Sequence, residues 1–425
     1  MTTLYKSVLI LDSSSSYYKK KVDLRIQNGT LLEIAENVSS NKNEEVIEGK
    51  ELLFVPGLSD LRVHNTLPGG EHREDWKSIS AAAKAGGVSN LQLLPTGSSV
   101  PQNAENIQYI KNRSLEFGIN FIPMAPLTVD NKGENFTDLI DLFQAGAKGF
   151  SHGADSLQHT DLYLKCLQYL MTKPVTVYAQ PDTEGLSLFG QINEGLQSTL
   201  TGLKGIPTLS ETLAIKRDLD LLAYVISHSF GNLDKDFGIH FYCISAKESV
   251  DLIKQAKEKG LPVTCSVAVH HLIFDERVVE SFDTNTKVFP PFRTKEDRDA
   301  LCQAVLDGVI DAIVSDHHPI EVELKEIEFD HASFGVIGLQ TLLQASFESF
   351  KSKDYAKVVQ ALVDNPNKLL GVTQNSLVVN HQIIGTIIDT QQKSIFTKKQ
   401  IKSLSKNSAF LDYTFKSTIV NVFHS

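Results

Sequence analysis

Cysteine is scarce: there are only four in 425 residues, Cys166, Cys243, Cys265 and Cys302, and no two form a CxxC pair. A disulfide framework therefore has no support, and each thiol is expected to be a small buried apolar group in a reducing compartment. Long hydrophobic runs are missing as well. Nowhere do 18 apolar residues run together, and residues 1–30 hold no apolar stretch of signal-peptide length. Membrane spanning and secretion both lack support, and the expected location is cytoplasmic. Positive charge is not in excess: the formal net charge is −10, which opposes attraction to nucleic acid or an anionic membrane. The Tyr18-Lys-Lys-Lys-Val22 run is isolated and reads as a solvated turn or an edge strand. No Gly-rich phosphate loop or nucleic-acid motif stands out.

What is present is a regular alternation. The first fifty residues carry short β-rich runs, Ser7–Leu11, Lys21–Ile26 and Leu31–Ile34, separated by Asn, Gly and Ser turns. From about Leu52 one apolar strand alternates with one amphipathic helix, the signature of βαβ units and a parallel sheet. Strands are predicted to begin near Leu58, Val88, Asn120, Ala147, Pro174, Ile239, Pro262 and Asp311. Helical patterns lie over Glu74–Ala85, Asp138–Ala145, Thr208–Val225, Lys247–Lys259 and Lys295–Leu306, and a further one over Tyr355–Leu370. Eight such units close most naturally into a (β/α)8 barrel. The last fifty residues return to short strands at Ser376–Val379, Ile383–Asp389 and Thr418–Val422. The expected organisation is a barrel over residues 55–371 and a β-sandwich module made of residues 1–54 and 372–425, because neither β-rich end is large enough to bury a core alone.

In a barrel the working residues lie at the C-terminal ends of the strands. Two such ends are rich in chemistry: Pro56-Gly-Leu-Ser-Asp-Leu-Arg-Val-His64 and Val314-Ser-Asp-His-His-Pro319. Spacing alone leaves two readings open, a divalent-metal or acid–base site and a hydrogen-bonded polar plug across the barrel mouth.

Further segments fall in one family's order. They include Leu67-Pro-Gly-Gly-Glu-His-Arg-Glu-Asp75, Glu194 to Pro207, Ser249 to Val263, His270-His-Leu272, Val288 to Arg298, Asp307 to His317, Phe334 to Leu339 and Asn365-Pro-Asn-Lys-Leu-Leu-Gly371. With Pro56 to His64 they make the chain resemble the dihydroorotases of the amidohydrolase superfamily from about residue 50 onward. The resemblance implies a metal-dependent amidohydrolase barrel that opens cyclic amides.

Residue by residue, the same resemblance implies a degenerate centre. The family's first-strand His-x-His is Arg62 and His64 here, and a guanidinium offers only donors and stays protonated, so it cannot ligate a cation. His152 stands where the family has a metal-binding Asp, Gln180 at the fifth-strand His and Cys243 at the sixth-strand His. Asp316 is retained at the position of the catalytic Asp. On the substrate side, Thr66, Thr96, Phe289 and Ile320 replace family residues that clamp the anionic substrate.

Three readings follow. The favoured one is a pseudoenzyme in which Arg62 pairs with Asp316 where a cation would sit. It carries no cofactor, and the resemblance implies aspartate carbamoyltransferase as a partner, a homo-oligomer, or both. The second is an active hydrolase with one zinc ion held by His64, His152, Cys243 and Asp316. The third is a metal-free enzyme or ligand binder using His270, His271, His317 or His318, for which a scaffold role of the His270-His271 pair is the better reading.

Overall fold

The computed structural model describes residues 2–97, 100–373 and 377–424. Eight strands, Leu58–Val63, Val88–Leu93, Asn120–Pro126, Gly149–Ser151, Thr176–Ala179, Gly238–Phe241, Val263–Ala268 and Ala312–Val314, pair in sequence order as one parallel sheet. They start within two residues of the predicted positions. The first strand reads as a continuous buried run, as expected when helices cover one side of a parallel sheet and the barrel interior the other. The sheet closes through its last strand: His64 N donates to His317 O at 2.9 Å, and Ser315 N and Oγ donate to the carboxylate of Asp60. Leu61, Met124, Tyr178, Tyr242, Ala268 and Val314, drawn from six strands or their ends, form the interior layer.

The helices obey local chemistry. Trp76–Ala85 begins with a capping box, Asp75 Oδ1 accepting from Ser78 N at 2.6 Å and Ser78 Oγ accepting from Asp75 N at 2.9 Å. Thr294 and Asp297 cap Lys295–Leu306 in the same way. The pattern over residues 355–370 forms as one helical stretch in three pieces, with a π-helical turn at Gln360–Asp364 between Tyr355–Val359 and Asn365–Leu370. Pro366 is the physical reason: it has no N–H to give to the preceding turn.

The chain ends form a separate seven-stranded sheet, with Gly385–Asp389 joining Leu52–Pro56 on one side and Thr418–Phe423 on the other. Thr2–Ile10 and Thr418–Phe423 are three strands apart along this sheet, a span of about 14 Å if it were flat. Yet the Tyr5 and Phe423 rings meet edge-on at 6.3 Å, so the sheet curls over its own apolar cluster. One expectation is corrected. No strand forms over residues 377–379 (Ser376 lies outside the described residues); Asn380 takes φ 66° in a tight turn, and the segment joins the sheet through a bridge between Thr30 and Gln382 and a hydrogen bond from Asn380 N to Leu31 O at 2.7 Å. Among the described residues no helix is long and apolar enough to cross a membrane.

Candidate functional site at the barrel mouth

Closure of the first strand against the last brings Arg62 and Asp316 together. Arg62 Nε donates to Asp316 Oδ1 at 2.7 Å, with the two side chains 2% and 7% exposed. The guanidinium also lies over the Tyr242 ring, 4.8 Å from its centroid. Burial would raise the carboxyl of Asp316, but the charge of Arg62 and the contact with His64 outweigh it, and the group is held well below the usual carboxylate range. Asp316 takes φ 49° and Cys243 φ 46°. Such left-handed backbone costs a non-glycine residue of order 1–3 kcal/mol and persists only where the surroundings enforce it.

Burial disfavours the charged form of the two histidines that face this pair, His64 and His318. His64 stands 3.6 Å from Asp316 and stacks face to face on His318, with ring centroids 3.7 Å apart and an interplanar angle of 4°. Burial pushes the pKa of both rings down, and that of His318 far down. His317 turns away from the mouth. Its Nδ1 accepts from Gly338 N at 3.2 Å, so Nε2 carries the proton and donates to Glu74 Oε2 at 3.2 Å, a latch between the last strand and the entry to the first helix. His271 Nε2 donates to the carbonyls of Pro290 and Pro291 at 3.1 and 3.3 Å, while neither ring nitrogen of the fully buried His270 has a partner. Three of the four histidines of the ligand-binding reading are thus internal; only His318 reaches the mouth.

A cavity of about 670 Å³ opens above the ion pair, and its lining includes Arg62, His64, His152, Gln180, Phe289 and Asp316. His152 Nδ1 shares a hydrogen bond with Thr128 Oγ1 at 3.0 Å. Gln180 is 3% exposed, and neither of its amide atoms is bonded. Cys243 lies below, in the interior layer with Tyr242. Thr66 and Thr96 do not line the cavity: Thr66 Oγ1 donates to Glu74 O at 3.0 Å, and Thr96 Oγ1 to Asn65 O at 2.9 Å. Ile320 is buried and borders a different cavity, beside Asn407. Sequence reasoning passed over Asp182 and Phe334, which line the mouth, and Tyr242 beneath Arg62. The alternation Gln180-x-Asp182 just beyond the fifth strand was the available signal for the first; nothing local marks the other two.

The residues present do not fit the zinc ion that the resemblance implies. Zinc needs three or four ligands with free lone pairs. One carboxylate oxygen of Asp316, Oδ1, is taken by Arg62, and the thiol of Cys243 is pushed far up by burial and then by the charge of Asp316. Among the described residues no three His, Cys, Asp or Glu groups come together as a cation site. Iodoacetamide at pH 7.5 is therefore expected to leave Cys243 and Cys166, itself pushed up to about 12 by burial, unmodified in the folded chain and to label them after urea unfolding. Fast labelling of Cys243 in the native protein would reveal an open, ionisable thiol.

Fold and mouth define a (β/α)8 barrel with a buried ion pair at its C-terminal mouth. Among solved structures it is similar to the L-hydantoinase (dihydropyrimidinase) of Arthrobacter aurescens, with a TM-score of 0.77 at 20% identity over 100% of this chain and 96% of that one. Residues 51–249 match the dihydro-orotase-like family. The dihydroorotase of Geotalea daltonii is 33% identical over 97% of this chain and 95% of its own, and that of Bacillus subtilis is 31% identical over 96% and 94%. The chain belongs to the dihydroorotase-like family.

Proposed function

We propose that this chain is a non-catalytic member of its family, a barrel kept for structure and association, with aspartate carbamoyltransferase as the partner it holds. The observation that carries this reading is the buried Arg62–Asp316 ion pair. A guanidinium neutralises the retained Asp where a divalent cation would otherwise do so, and it offers no lone pair to a metal. Loss of the substrate clamp points the same way: Thr66 and Thr96 face backbone carbonyls, and Phe289 brings an apolar ring into the mouth. An anionic substrate then has no bidentate partner there.

The dihydroorotase names of the relatives favour a second reading, an active cyclic-amide hydrolase with one zinc ion on His64, His152, Cys243 and Asp316. It requires Arg62 to leave Asp316, Cys243 to lose its proton in an apolar layer, and four side chains to converge. The two readings are separated by the metal content of the purified chain and by dihydroorotate turnover with and without added zinc. The expected result is substoichiometric zinc and no turnover above buffer. One zinc per chain together with turnover would establish the second reading. For the partner, co-purification with a carbamoyltransferase whose activity falls when this chain is removed is expected; a carbamoyltransferase indifferent to it would refute that part.

A further inference from the structure

We propose that the outer face of residues 393–406, beside the barrel mouth, is a docking surface for a partner protein whose own face is rich in aspartate and glutamate. Charge is segregated along this chain. Residues 390–411 carry five lysines, Lys393, Lys398, Lys399, Lys402 and Lys406, and no aspartate or glutamate, so the formal net charge of −10 divides into +5 here and −15 over the rest. Lysines elsewhere are committed to carboxylates: Lys165 to Asp161, Lys257 to Asp311, Lys295 to Asp299 and Lys416 to Glu348. Among the described residues none of the five has such a partner, and all but Lys406 are exposed. They act on one another: Lys406 is lowered by burial and by the charges of Lys398 and Lys402, against the opposing effect of Glu74.

The segment is tied down along its length, so little backbone freedom is lost when a partner settles on it. Phe396 and Ile401 anchor it in the barrel's apolar cluster. Gln340 clamps its turn, donating from Nε2 to Gln400 O at 2.8 Å and accepting from Lys402 N at 3.0 Å. Asn407 Nδ2 donates to His318 O at 3.0 Å and to Gly335 O at 3.1 Å, and both of those residues line the mouth. The surroundings select the kind of anion. Outside the segment the chain is strongly acidic, and Glu323 and Glu326 share the cavity that Lys398 and Lys406 border. Duplex DNA or an anionic membrane, being extended, runs on into that repulsion, whereas a folded protein offers a bounded acidic patch. Leu404, 46% exposed and bordering the same cavity, and Ile395, 53% exposed and two positions from Lys393, add apolar contacts that suit a protein face rather than a phosphate backbone.

A fluorescein-labelled peptide of repeated Glu-Glu-Leu, followed by anisotropy on titration with the full-length chain, tests this face. Saturable binding that weakens at least tenfold between about 50 and 300 mM salt is expected. Lys398→Glu, Lys399→Glu and Lys402→Glu together are expected to weaken it at least tenfold at the lower salt with the melting temperature unchanged, because all three side chains are exposed and unpaired. The triple glutamine variant, expected to weaken it at least threefold, answers the question should the reversal not fold. Reversing Lys19, Lys20 and Lys21, an exposed run elsewhere, changes the net charge equally and is expected to leave the affinity within twofold. Absence of saturable binding, equal weakening by the two reversals, or tighter binding of a DNA duplex or of phosphatidylserine vesicles than of the peptide overturns the proposal. Neither zinc content nor dihydroorotate turnover enters the measurement, so its failure leaves the proposed loss of catalysis untouched, and zinc-dependent turnover leaves this face intact.

Discussion

Replacing Arg62 with methionine is expected to lower the unfolding free energy by about 3–5 kcal/mol, because it strands Asp316 as a buried charge without a counterion. Domains of ordinary stability have only about 5–15 kcal/mol in hand, so the variant should sit close to its unfolding threshold at 37 °C. Removing both charges, as Arg62→Met with Asp316→Asn, is expected to recover most of the loss, since a neutral amide in the same place needs hydrogen bonds but no countercharge. Urea unfolding of the wild type, the two single variants and the double variant forms a mutant cycle that isolates the pair. A single Arg62→Met variant as stable as the wild type would mean that Asp316 finds its compensation elsewhere, and would remove the observation on which the functional reading stands.

The second large effect is on pH. Burial holds His240 at about 3, His270 at about 4 and His271 at about 3, all below the ordinary histidine value. In each case the unfolded chain takes up the proton first, so the stability contribution is complete above about pH 6.5 and is lost as the pH falls through the folded values of about 3 to 4. Between pH 6.5 and 5 each ring costs about 1.5 kcal/mol. Asp60 and Asp218 act in the opposite sense. Burial raises both to about 6, so the folded chain takes up their protons first and each returns about 1 kcal/mol over the same interval. His64, His152 and His318, lowered by burial, add to the loss, while Asp182 and Asp311, raised by burial, oppose it. Asp316 stays ionised throughout, since its contribution is lost only below the usual carboxylate range. The net expectation is a loss of about 2–3 kcal/mol between pH 6.5 and 5, read from urea midpoints. His270 has no hydrogen-bond partner and packs edge-on against Phe292, with centroids 5.6 Å apart. His270→Leu should therefore flatten the profile by about 1.5 kcal/mol. A wild-type midpoint unchanged from pH 6.5 to 5 would contradict the neutral, buried assignment of these rings.

Much of this was legible along the chain. Strand positions could be read because a strand of a parallel barrel is buried on both sides and carries apolar residues beyond simple alternation, and because cap residues such as Asp75 and Thr294 mark helix starts. The resemblance singled out Arg62, His64 and Asp316 from the motif, and the structure brings the three together. The surroundings of those residues could not be read in the same way. Thr66 and Thr96 look like eroded substrate contacts in sequence, but in the fold they tie loops to backbone carbonyls outside the cavity. Ile320 lies in a different cavity altogether. The His317–His318 pair reads as one feature, yet alternation of the backbone sends the first ring to Glu74 and stacks the second on His64.

Composition and local pattern by themselves determined the barrel, the separate module built from the two ends, and the absence of a histidine at position 62, because apolar periodicity, capping and residue identity are all short-range properties. The pairing of Arg62 with Asp316, expected from their strand-end positions, forms where the first strand closes against the last, 254 positions apart along the chain, and its burial and its Nε–Oδ1 geometry were decided only there. The unpaired amide of Gln180 and the curl that seats Tyr5 on Phe423 arise in the same way. Hydrogen bonds and ion pairs act over a few ångströms of space, and spatial neighbours in a closed barrel are set by topology rather than by distance along the chain.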